Sequence, residues 1–374
     1  MAISRTCRRC PDDVSRRGTR LRQPTLATRP SRAAAAEPDN FSRWSVTVIG
    51  TQARTSFGRT SVTLGWLGVG AGTQSNRDGE RAFDEMLEAA WQHGVRDFDT
   101  APLYLSGESE RRLGRFVRRH ERNELVISTK VGRLPNRPEA VDLHSARQFD
   151  FSASATRESV SRSLERLGTD RVDIVYAHDV DREMHGDQFD DVLALVLDEC
   201  LPTLAQLRDE GMIRAIGVSS RQPDVCLSIA RNAAVDGFIM AGSYTLLNHE
   251  PLHELLPYCL ESGHSVVIAS PFNTGILATG DPDATYDYGK PTPEVQNRVA
   301  RIVDLCRVHD VDLAAAALTY PVRHPAVAAV VVGNRSAAEV RRNIAIAGRP
   351  IPDDFWADLE AAGLTPSNSQ KRTS

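Results

Sequence analysis

The chain has 374 residues, of which 41% are hydrophobic and 25% charged, a composition typical of a globular protein. Its formal net charge of −4 argues against a nucleic-acid-binding protein, whose surface is usually basic. The sequence contains no run of 18 apolar residues, so we predict no membrane span. Four of the six cysteines are scattered singly in apolar segments, which favours free thiols in a reducing, cytoplasmic compartment.

Residues 1–42 are rich in arginine and show no hydrophobic period, which predicts a disordered tail. A transit peptide and an over-extended start are the alternative interpretations. Cys7 and Cys10 form a C-x-x-C, but no second Cys or His pair lies close by, so we predict no metal site. We place one folded domain at residues 43–365 and a short C-terminal tail at residues 366–374.

From about residue 62, short apolar runs alternate with longer amphipathic ones, the pattern of βα units around a parallel sheet. The predicted strands are Trp66–Gly70, Val95–Asp99, Leu125–Lys130, Val172–His178, Arg214–Ser219, Gly237–Ala241, Ser265–Ser270 and Val327–Val332. The helices predicted between and after them are Arg77–Gln92, Glu110–Arg119, Thr156–Leu167, Val192–Glu210, Pro223–Asn232, Leu252–Glu261, Pro293–His309 and Ala337–Ala347. A ninth helix is predicted at Asp353–Ala362.

Eight strictly alternating βα repeats predict a (β/α)8 TIM barrel. The competing architecture is a doubly wound open sheet, which normally has a G-x-G-x-x-G turn after its first strand. The corresponding stretch here, "GWLGVGAGTQ", lacks that spacing. The barrel is therefore the favoured fold.

Barrel enzymes carry their catalytic residues at the carboxyl ends of the strands. Predicted strands two, three and four end in Asp99, Lys130 and His178, and Tyr104 lies on the loop that follows Asp99. Each residue alone has a structural explanation: a turn, an exposed cation or a buried histidine. Only three of the 45 basic residues are lysines, so a lysine inside a buried strand indicates a need for a compact ammonium group.

Tyrosine has an ordinary pKa of about 10 and is a poor acid–base catalyst at neutral pH. A neighbouring ammonium group lowers the pKa of a phenol, and a carboxylate keeps that ammonium charged. We therefore predict that the four residues protonate a carbonyl oxygen while hydride reaches its carbon. We interpret Ser109 and Glu110 as the N-cap and the first-turn acid of the following helix.

Five stretches in order resemble the aldo-keto reductase superfamily over about residues 60–347: "GVRDFDTAPLYLSGESERRLG", "VISTKVG", "SLERLGTDRVDIVYAHDVD", "GMIRAIGVSS" and "VVVGNRSAAEVRRNIA". The resemblance implies a nicotinamide-dependent oxidoreductase. It also implies that Tyr104 is the general acid/base, that Lys130 and Asp99 lower its pKa, and that His178 orients the carbonyl or relays the proton. Substrate contacts would come from Trp66, Tyr104 and His178.

Three further stretches, "HDVD", "QFDFSASATRESV" and "YTLLNHEPLHELLPYC", resemble one branch of that superfamily. The branch contains L-fucose/D-threo-aldose 1-dehydrogenases, L-galactose dehydrogenases and pyridoxal 4-dehydrogenases. The resemblance implies oxidation of a hemiacetal or an alcohol, with Tyr104 as the base. The expected partner is a small molecule, and we expect a monomer or a weak homo-oligomer.

The resemblance also implies that NAD or NADP binds at the ends of strands five to eight. The residues carried over are Ser219, Ser220, Ser270, Pro271, Phe272, Gly275, Gly333, Arg335, Glu339 and Asn343. Arg335 favours a 2′-phosphate and Glu339 a free 2′-hydroxyl, which leans slightly toward NAD; alternatively the two side chains simply pair. The sequence departs from the family in lacking a Gln after strand six and an aromatic residue at Ala269.

Several alternatives to an aldose 1-dehydrogenase remain open. A pyridoxal 4-dehydrogenase or a general aldehyde/ketone reductase would use the same residues. A Schiff-base lyase would use Lys130 as its nucleophile. A non-catalytic barrel that senses its cofactor would keep the fold without turnover.

Overall fold

The computed structural model describes residues 54–72, 79–133 and 149–366. The predicted tail at residues 1–42, with Cys7 and Cys10, and residues 367–374 of the predicted C-terminal tail lie outside the described residues. The strands are β1 (Arg54–Ser56), β2 (Thr63–Gly65), β3 (Leu67–Gly70), β4 (Asp97–Asp99), β5 (Val126–Val131), β6 (Val172–Ala177), β7 (Ile213–Ser219), β8 (Gly237–Ala241), β9 (Ser265–Ala269) and β10 (Val327–Gly333). Strands β3 to β10 form a closed barrel.

The barrel is entirely parallel, and each strand pairs with the next one along the chain. It closes where β10 pairs with β3, with Val330 opposite Leu67. The strands are rich in β-branched apolar residues because helices cover their outer face and side chains fill the interior. The predicted TIM barrel is confirmed.

The helices surround the barrel. They are α1 (Gly79–Gln92), α2 (Glu108–Val117), α3 (Ala153–Leu167), α4 (Arg182–His185), α5 (Phe189–Leu195), α6 (Leu201–Asp209), α7 (Pro223–Asn232), α8 (Leu255–Ser262), α9 (Ile276–Thr279), α10 (Pro293–Val308), α11 (Leu313–Val322), α12 (Ala337–Ala347) and α13 (Asp353–Ala361). Within the described part of the chain, none of them is long and apolar enough to cross a membrane.

Helix α11 is absent from the sequence-based prediction, which placed only Pro293–His309 between the last two barrel strands. Nearly all of α11 is buried, and it packs against β10 and α12. A helix that is apolar on every side has no alternation of polar and apolar faces, so a search for amphipathic period misses it. Its start does carry a signal, because the Asp312 carboxylate accepts hydrogen bonds from the backbone of Ala314 and Ala315.

The helix predicted at Val192–Glu210 is interrupted. Helices α5 and α6 are joined through a π-helical turn at Val196–Cys200. Pro202 lies at the start of α6 and has no backbone N–H to donate to the preceding turn. A π-turn before the proline accommodates the missing hydrogen bond.

The amino end of the barrel is covered by an antiparallel hairpin, β1–β2, which the sequence analysis did not predict because its strands have only three residues. Phe57 and Leu64 of this hairpin pack in one apolar cluster with the barrel-interior residues Ile174 and Tyr176. The backbone N–H of Gly65 donates to the buried Asp97 carboxylate at 2.9 Å. This carboxylate therefore joins the hairpin to the barrel.

Asp97→Asn should stabilise the protein, most strongly at alkaline pH. Burial raises the pKa of Asp97 to about 7, so the protonated form is favoured in the folded state. Stability is then lost as the pH rises from the unfolded pKa of about 3.9 through the folded value, by up to about 4 kcal/mol. At pH ~8.5 we expect the variant to be about 2–4 kcal/mol more stable than the wild type. At pH ~5.5 this difference in the free energy of unfolding should be about 2 kcal/mol smaller. Urea unfolding at both pH values measures the difference, and a destabilised variant at the higher pH would contradict the prediction.

Candidate active site

Three of the predicted site residues lie at the carboxyl ends of adjacent strands. Asp99 ends β4, Lys130 lies one residue before the end of β5, and His178 directly follows β6. Lys130 Nζ donates to Asp99 Oδ2 at 2.6 Å and to the carbonyl oxygen of Thr100 at 2.8 Å. Ser128 Oγ donates to the other Asp99 oxygen at 2.7 Å. The buried ammonium is therefore held in a fixed position by two strands.

Tyr104 reaches the same place from the loop after β4. Its ring lies beside the Lys130 ammonium, whose Nζ is 4.9 Å from the ring centroid. The ring also meets the His178 imidazole edge-on, at 6.0 Å between centroids. The structure thus brings together all four residues named from the sequence.

The charge balance at Tyr104 differs from the prediction. Burial raises the pKa of Tyr104 above its ordinary value, Lys130 opposes this, and the Asp99 carboxylate adds to it. The predicted net lowering is therefore wrong for the protein alone, because loss of water outweighs the ammonium. Asp99 acts on Lys130 instead: burial would lower the pKa of Lys130, but Asp99 and Tyr104 raise it overall.

His178 is a neutral imidazole at physiological pH. Burial, together with the charges of Lys130 and Arg133, lowers its pKa to about 3 against the opposing effect of Asp179. Its Nδ1 atom is enclosed and has no hydrogen-bond partner among the described residues. The Nε2 atom is therefore the nitrogen left to meet a substrate oxygen.

Gly72, two residues after β3, is a site residue that the sequence analysis missed. A Cβ atom at this position would lie 2.5 Å from Cε2 of Tyr104, well inside contact distance. The glycine therefore makes room for the Tyr104 ring. The sequence signal was present in "GVGAG", which had been considered only as a nucleotide-binding turn.

Gly72→Ala should lower kcat by about 10²-fold or more, because a displacement of about 1 Å at a catalytic group has that effect. The methyl group has to push the Tyr104 ring away from Lys130 and His178. Steady-state kinetics measure the loss, with Gly348→Ala as the control, since the nearest atom to a Cβ there lies at 3.9 Å. Unchanged turnover in the Gly72 variant would show that the ring position is not critical.

Ser109 is not the N-cap of helix α2, whereas Glu110 does lie in its first turn, as predicted. The N-cap is Gly107, whose backbone lies in the left-handed region at φ 86° and which has no side chain to accept a capping hydrogen bond. Ser109 Oγ instead donates to the carbonyl oxygen of Ala71 at 2.9 Å. Glu110 is fully buried and accepts from Thr129 at 2.7 Å and Arg166 at 2.6 Å. These hydrogen bonds connect the start of α2, directly after the Tyr104 loop, to the segment after β3, to β5 and to α3.

The predicted cofactor residues lie on the same rim. Ser219 ends β7, Ser220 follows it, the segment from Ser270 to Gly275 follows β9, and Gly333 ends β10. Ser220 Oγ donates its proton to Asp181 Oδ1 at 2.6 Å, so it is left to act as an acceptor toward a ligand. Asp181 is a second residue that the sequence analysis missed, although it is the last residue of "HDVD".

One backbone feature on this rim fits the phosphates of a dinucleotide: helix α12 begins after β10, and its N-terminus, where Ser336 Oγ accepts from the N–H of Glu339, favours an anion. Ser270, Asn273 and Thr274 have φ values of 54°, 46° and 65°. In this loop the N–H groups of Asn273 and Gly275 donate to the carbonyl oxygens of Ser270 and Phe272. Asn273 Nδ2 donates to the carbonyl oxygen of Gly242 at 3.2 Å. Gly242 directly follows β8, where the sequence lacks the Gln that the family resemblance leads one to expect.

Arg335 and Glu339 pair with each other. Arg335 Nη2 and Nε lie 2.9 and 3.0 Å from Glu339 Oε1, and the Arg335 backbone N–H donates to Oε2 at 2.7 Å. Asn343 Nδ2 donates to Asn334 Oδ1 at 2.8 Å. The sequence left open whether Arg335 and Glu339 contact the cofactor or pair with each other, and in the structure they pair.

Trp66 is not brought to the site. It precedes β3, at the amino end of the barrel, and packs in the apolar cluster between strands and helices. Because a strand rises about 3.3 Å per residue, Trp66 lies about 13 Å before Gly70, the carboxyl end of β3. The substrate contact expected for Trp66 is therefore not supported by its position.

Comparisons with known proteins agree with this geometry. The model of the Aldo/keto reductase family matches residues 62–363. D-threo-aldose 1-dehydrogenase from Pseudomonas sp is 40% identical over 319 residues, covering 80% of this chain and 94% of that protein. Pyridoxal 4-dehydrogenase from Microbacterium luteolum is 34% identical over 332 residues, covering 83% and 97%.

L-galactose dehydrogenase from Arabidopsis thaliana is 29% identical over 298 residues, covering 78% of this chain and 86% of that protein. Among solved structures, an aldo-keto reductase from Bacillus halodurans in its holo form has the same fold, with a TM-score of 0.67. It is 23% identical and covers 82% of this chain and 95% of its own. The chain therefore belongs to the aldo/keto reductase family and is an oxidoreductase acting on CH–OH or C=O groups.

Proposed function

We propose that the protein is an NAD(P)-dependent aldose 1-dehydrogenase that oxidises the anomeric carbon of an L-fucose-, D-threo-aldose- or L-galactose-type sugar. The observation that carries the proposal is the 40% identity to a D-threo-aldose 1-dehydrogenase over 94% of that protein. The assembled Asp99, Tyr104, Lys130 and His178 supply the proton chemistry that such an oxidation needs.

The bound nicotinamide supplies the chemistry of hydride transfer at the substrate carbon. Tyr104 takes the proton of the hemiacetal hydroxyl in oxidation and returns it to a carbonyl oxygen in reduction. The Lys130 ammonium stabilises the phenolate that oxidation requires, and Asp99 keeps that ammonium charged. His178, held neutral, orients the reacting oxygen through Nε2.

This assignment predicts opposite pH dependences in the two directions. Because burial raises the pKa of Tyr104, the phenol keeps its proton through neutral pH. Oxidation needs the phenolate, so its kcat/KM should rise with pH into the alkaline range, while that of reduction should fall there. Rate profiles measured in both directions with one aldose and its lactone check the signs. If the pH profiles of the two directions ran parallel, Tyr104 would not be the group that exchanges a proton with the substrate.

The cofactor would be held along the rim already described. Ser219 and Ser220 would hold the carboxamide, the loop with Ser270, Pro271, Phe272 and Gly275 would hold the pyrophosphate, and Gly333, Arg335, Glu339 and Asn343 would hold the adenosine end. A 2′-phosphate would have to compete with Glu339 for Arg335, which favours NAD. Fluorescence titration with NADH and NADPH tests this preference. Glu339→Gln should tighten NADPH binding. Unchanged NADPH binding would mean that Glu339 does not influence the choice between NAD and NADP.

The experiment that tests the proposal compares oxidation of L-fucose, L-galactose, D-arabinose and pyridoxal with NAD and NADP. We expect the sugars to be the better substrates. Pyridoxal 4-dehydrogenase is the second candidate, on the 34% identity, and preferential pyridoxal oxidation would select it. Preferential reduction of simple aldehydes would instead select a general reductase.

The protonation state of Lys130 argues against the Schiff-base lyase. A Schiff base forms from the neutral amine, whereas Asp99 and Tyr104 raise the pKa of Lys130 and keep it charged. Borohydride treatment in the presence of an aldehyde should leave Lys130 unmodified. Mass spectrometry of the treated protein measures this.

We also propose a cytoplasmic location. Cys200, Cys226, Cys259 and Cys306, the cysteines in the described residues, are free and buried. Free thiols of this kind are typical of a reducing compartment.

A further inference from the structure

Asp179 is a charged residue at the active-site rim to which the proposed chemistry assigns no task. It directly follows His178 at the end of β6, with its backbone in the left-handed region at φ 55°. A non-glycine residue adopts that conformation only where the surrounding structure holds it. Here the Arg133 guanidinium pairs with the carboxylate, and His185 Nε2 contacts the Asp179 carbonyl oxygen at 2.9 Å.

This backbone places the carboxylate beside the reactive groups. Asp179 Oδ2 lies 3.7 Å from His178 Nε2, the imidazole nitrogen left to meet a substrate. The negative charge of Asp179 also raises the pKa values of both His178 and Tyr104. A substrate oxygen held by His178 and Tyr104 would therefore lie close to the Asp179 side chain.

The carboxylate is charged and has capacity to accept hydrogen bonds. Burial would raise the pKa of Asp179, but the charge of Arg133, its hydrogen bond to the carboxylate and the charge of Lys130 lower it overall. Its side chain is 17% exposed and that of Arg133 is 15% exposed, so the pair lines the site without being sealed from it. Arg133 donates to Oδ2, and since a carboxylate offers about four lone-pair positions, Asp179 keeps the capacity to accept a further hydrogen bond.

We propose that Asp179 binds a hydroxyl group on the carbon next to the reacting carbon, and so selects α-hydroxylated aldehydes and their cyclic hemiacetals over unsubstituted aldehydes. The inference rests on the proposed function for the position of the reacting oxygen. It adds the substrate class that this position recognises: neutral, polyhydroxylated carbonyl compounds. A site that hydrogen-bonds a substrate hydroxyl rejects the analogue that lacks it, because its own polar group is then left unpaired.

The test is the ratio of kcat/KM for reduction of D-glyceraldehyde to that for propanal, measured with the reduced cofactor that the enzyme accepts. The two aldehydes have the same three carbons and differ in their hydroxyl groups. We expect Asp179→Ala to lower the ratio by about 10- to 100-fold, through a higher KM for glyceraldehyde, with a much smaller change in propanal reduction. Asp179→Asn keeps the size and one acceptor oxygen, and should give an intermediate ratio.

Two further variants separate recognition from structure. Asp187→Ala removes an exposed carboxylate from the same loop and should leave the ratio unchanged. If Asp179 only holds Arg133 in place, Arg133→Ala and Asp179→Ala will impair both aldehydes equally, and that result would overturn the proposal. An unchanged ratio in Asp179→Ala would overturn it as well.

The outcome is independent of the aldose proposal. A wild-type enzyme that prefers glyceraldehyde but does not oxidise L-fucose would refute the aldose 1-dehydrogenase while leaving the role of Asp179 intact. An enzyme that oxidises L-fucose, with no change on Asp179→Ala for either aldehyde or sugar, would refute only the role of Asp179. A wild type without preference between the two aldehydes would also count against Asp179.

Discussion

Tyr104→Phe should lower kcat for sugar oxidation by about 10²- to 10⁴-fold, the range that a positioned acid–base group contributes. The variant loses only the hydroxyl that exchanges a proton with the substrate oxygen. The phenyl ring keeps the edge-on contact with His178 and its place over Lys130. Binding of the reduced cofactor, followed by fluorescence, should therefore be unchanged.

A second tyrosine gives the matched control. Tyr258 lies on α8, where its ring packs under Arg231 at 5.4 Å, away from the barrel rim. Tyr258→Phe should keep full activity. A Tyr104→Phe variant with wild-type turnover would refute the proton-transfer role outright.

Lys130→Arg should also abolish most activity, although it keeps the positive charge. Lys130 Nζ fits between Asp99 Oδ2 at 2.6 Å and the Thr100 carbonyl oxygen at 2.8 Å, in a buried position with no room for a planar guanidinium. We expect a fall in kcat of about 10²-fold or more from the misplaced cation, with an overpacking cost of about 1–3 kcal/mol in stability. Kinetics, urea unfolding and cofactor titration on the same preparation separate the three effects.

Lys290→Arg, at an exposed position, is the control for the change of residue type. It should be neutral in activity and in stability. A fully active Lys130→Arg variant would mean that the rarity of lysine in this arginine-rich chain carries no functional information.

Much of the fold could be predicted from the sequence because the barrel strands are short apolar runs with few alternatives. The order of Asp99, Lys130 and His178 along the chain was enough to bring them together, since parallel strands deliver their carboxyl ends to one rim. The loop position of Tyr104 followed from the resemblance and from its distance to Asp99. These inferences use only chain order and strand direction.

The remaining features depend on three-dimensional surroundings. The pKa of Tyr104 is the sum of burial and several opposed charges, and its direction cannot be read from the presence of Lys130 alone. Gly72 matters only through the ring that approaches it. Helix α11 shows no amphipathic period, and the left-handed backbone of Asp179 leaves no mark in the sequence.

The measurement that tests the central claim most directly uses L-fucose carrying deuterium at C1, oxidised with NAD or NADP. Direct hydride transfer from the anomeric carbon predicts one deuterium in the reduced nicotinamide and a primary isotope effect on the rate. Both products should form about 10²- to 10⁴-fold more slowly in Tyr104→Phe. Mass spectrometry of the reduced cofactor and of the lactone gives the answer. Reduced nicotinamide without deuterium, or no reduced nicotinamide from any of the sugars, would contradict the assignment of an aldose 1-dehydrogenase.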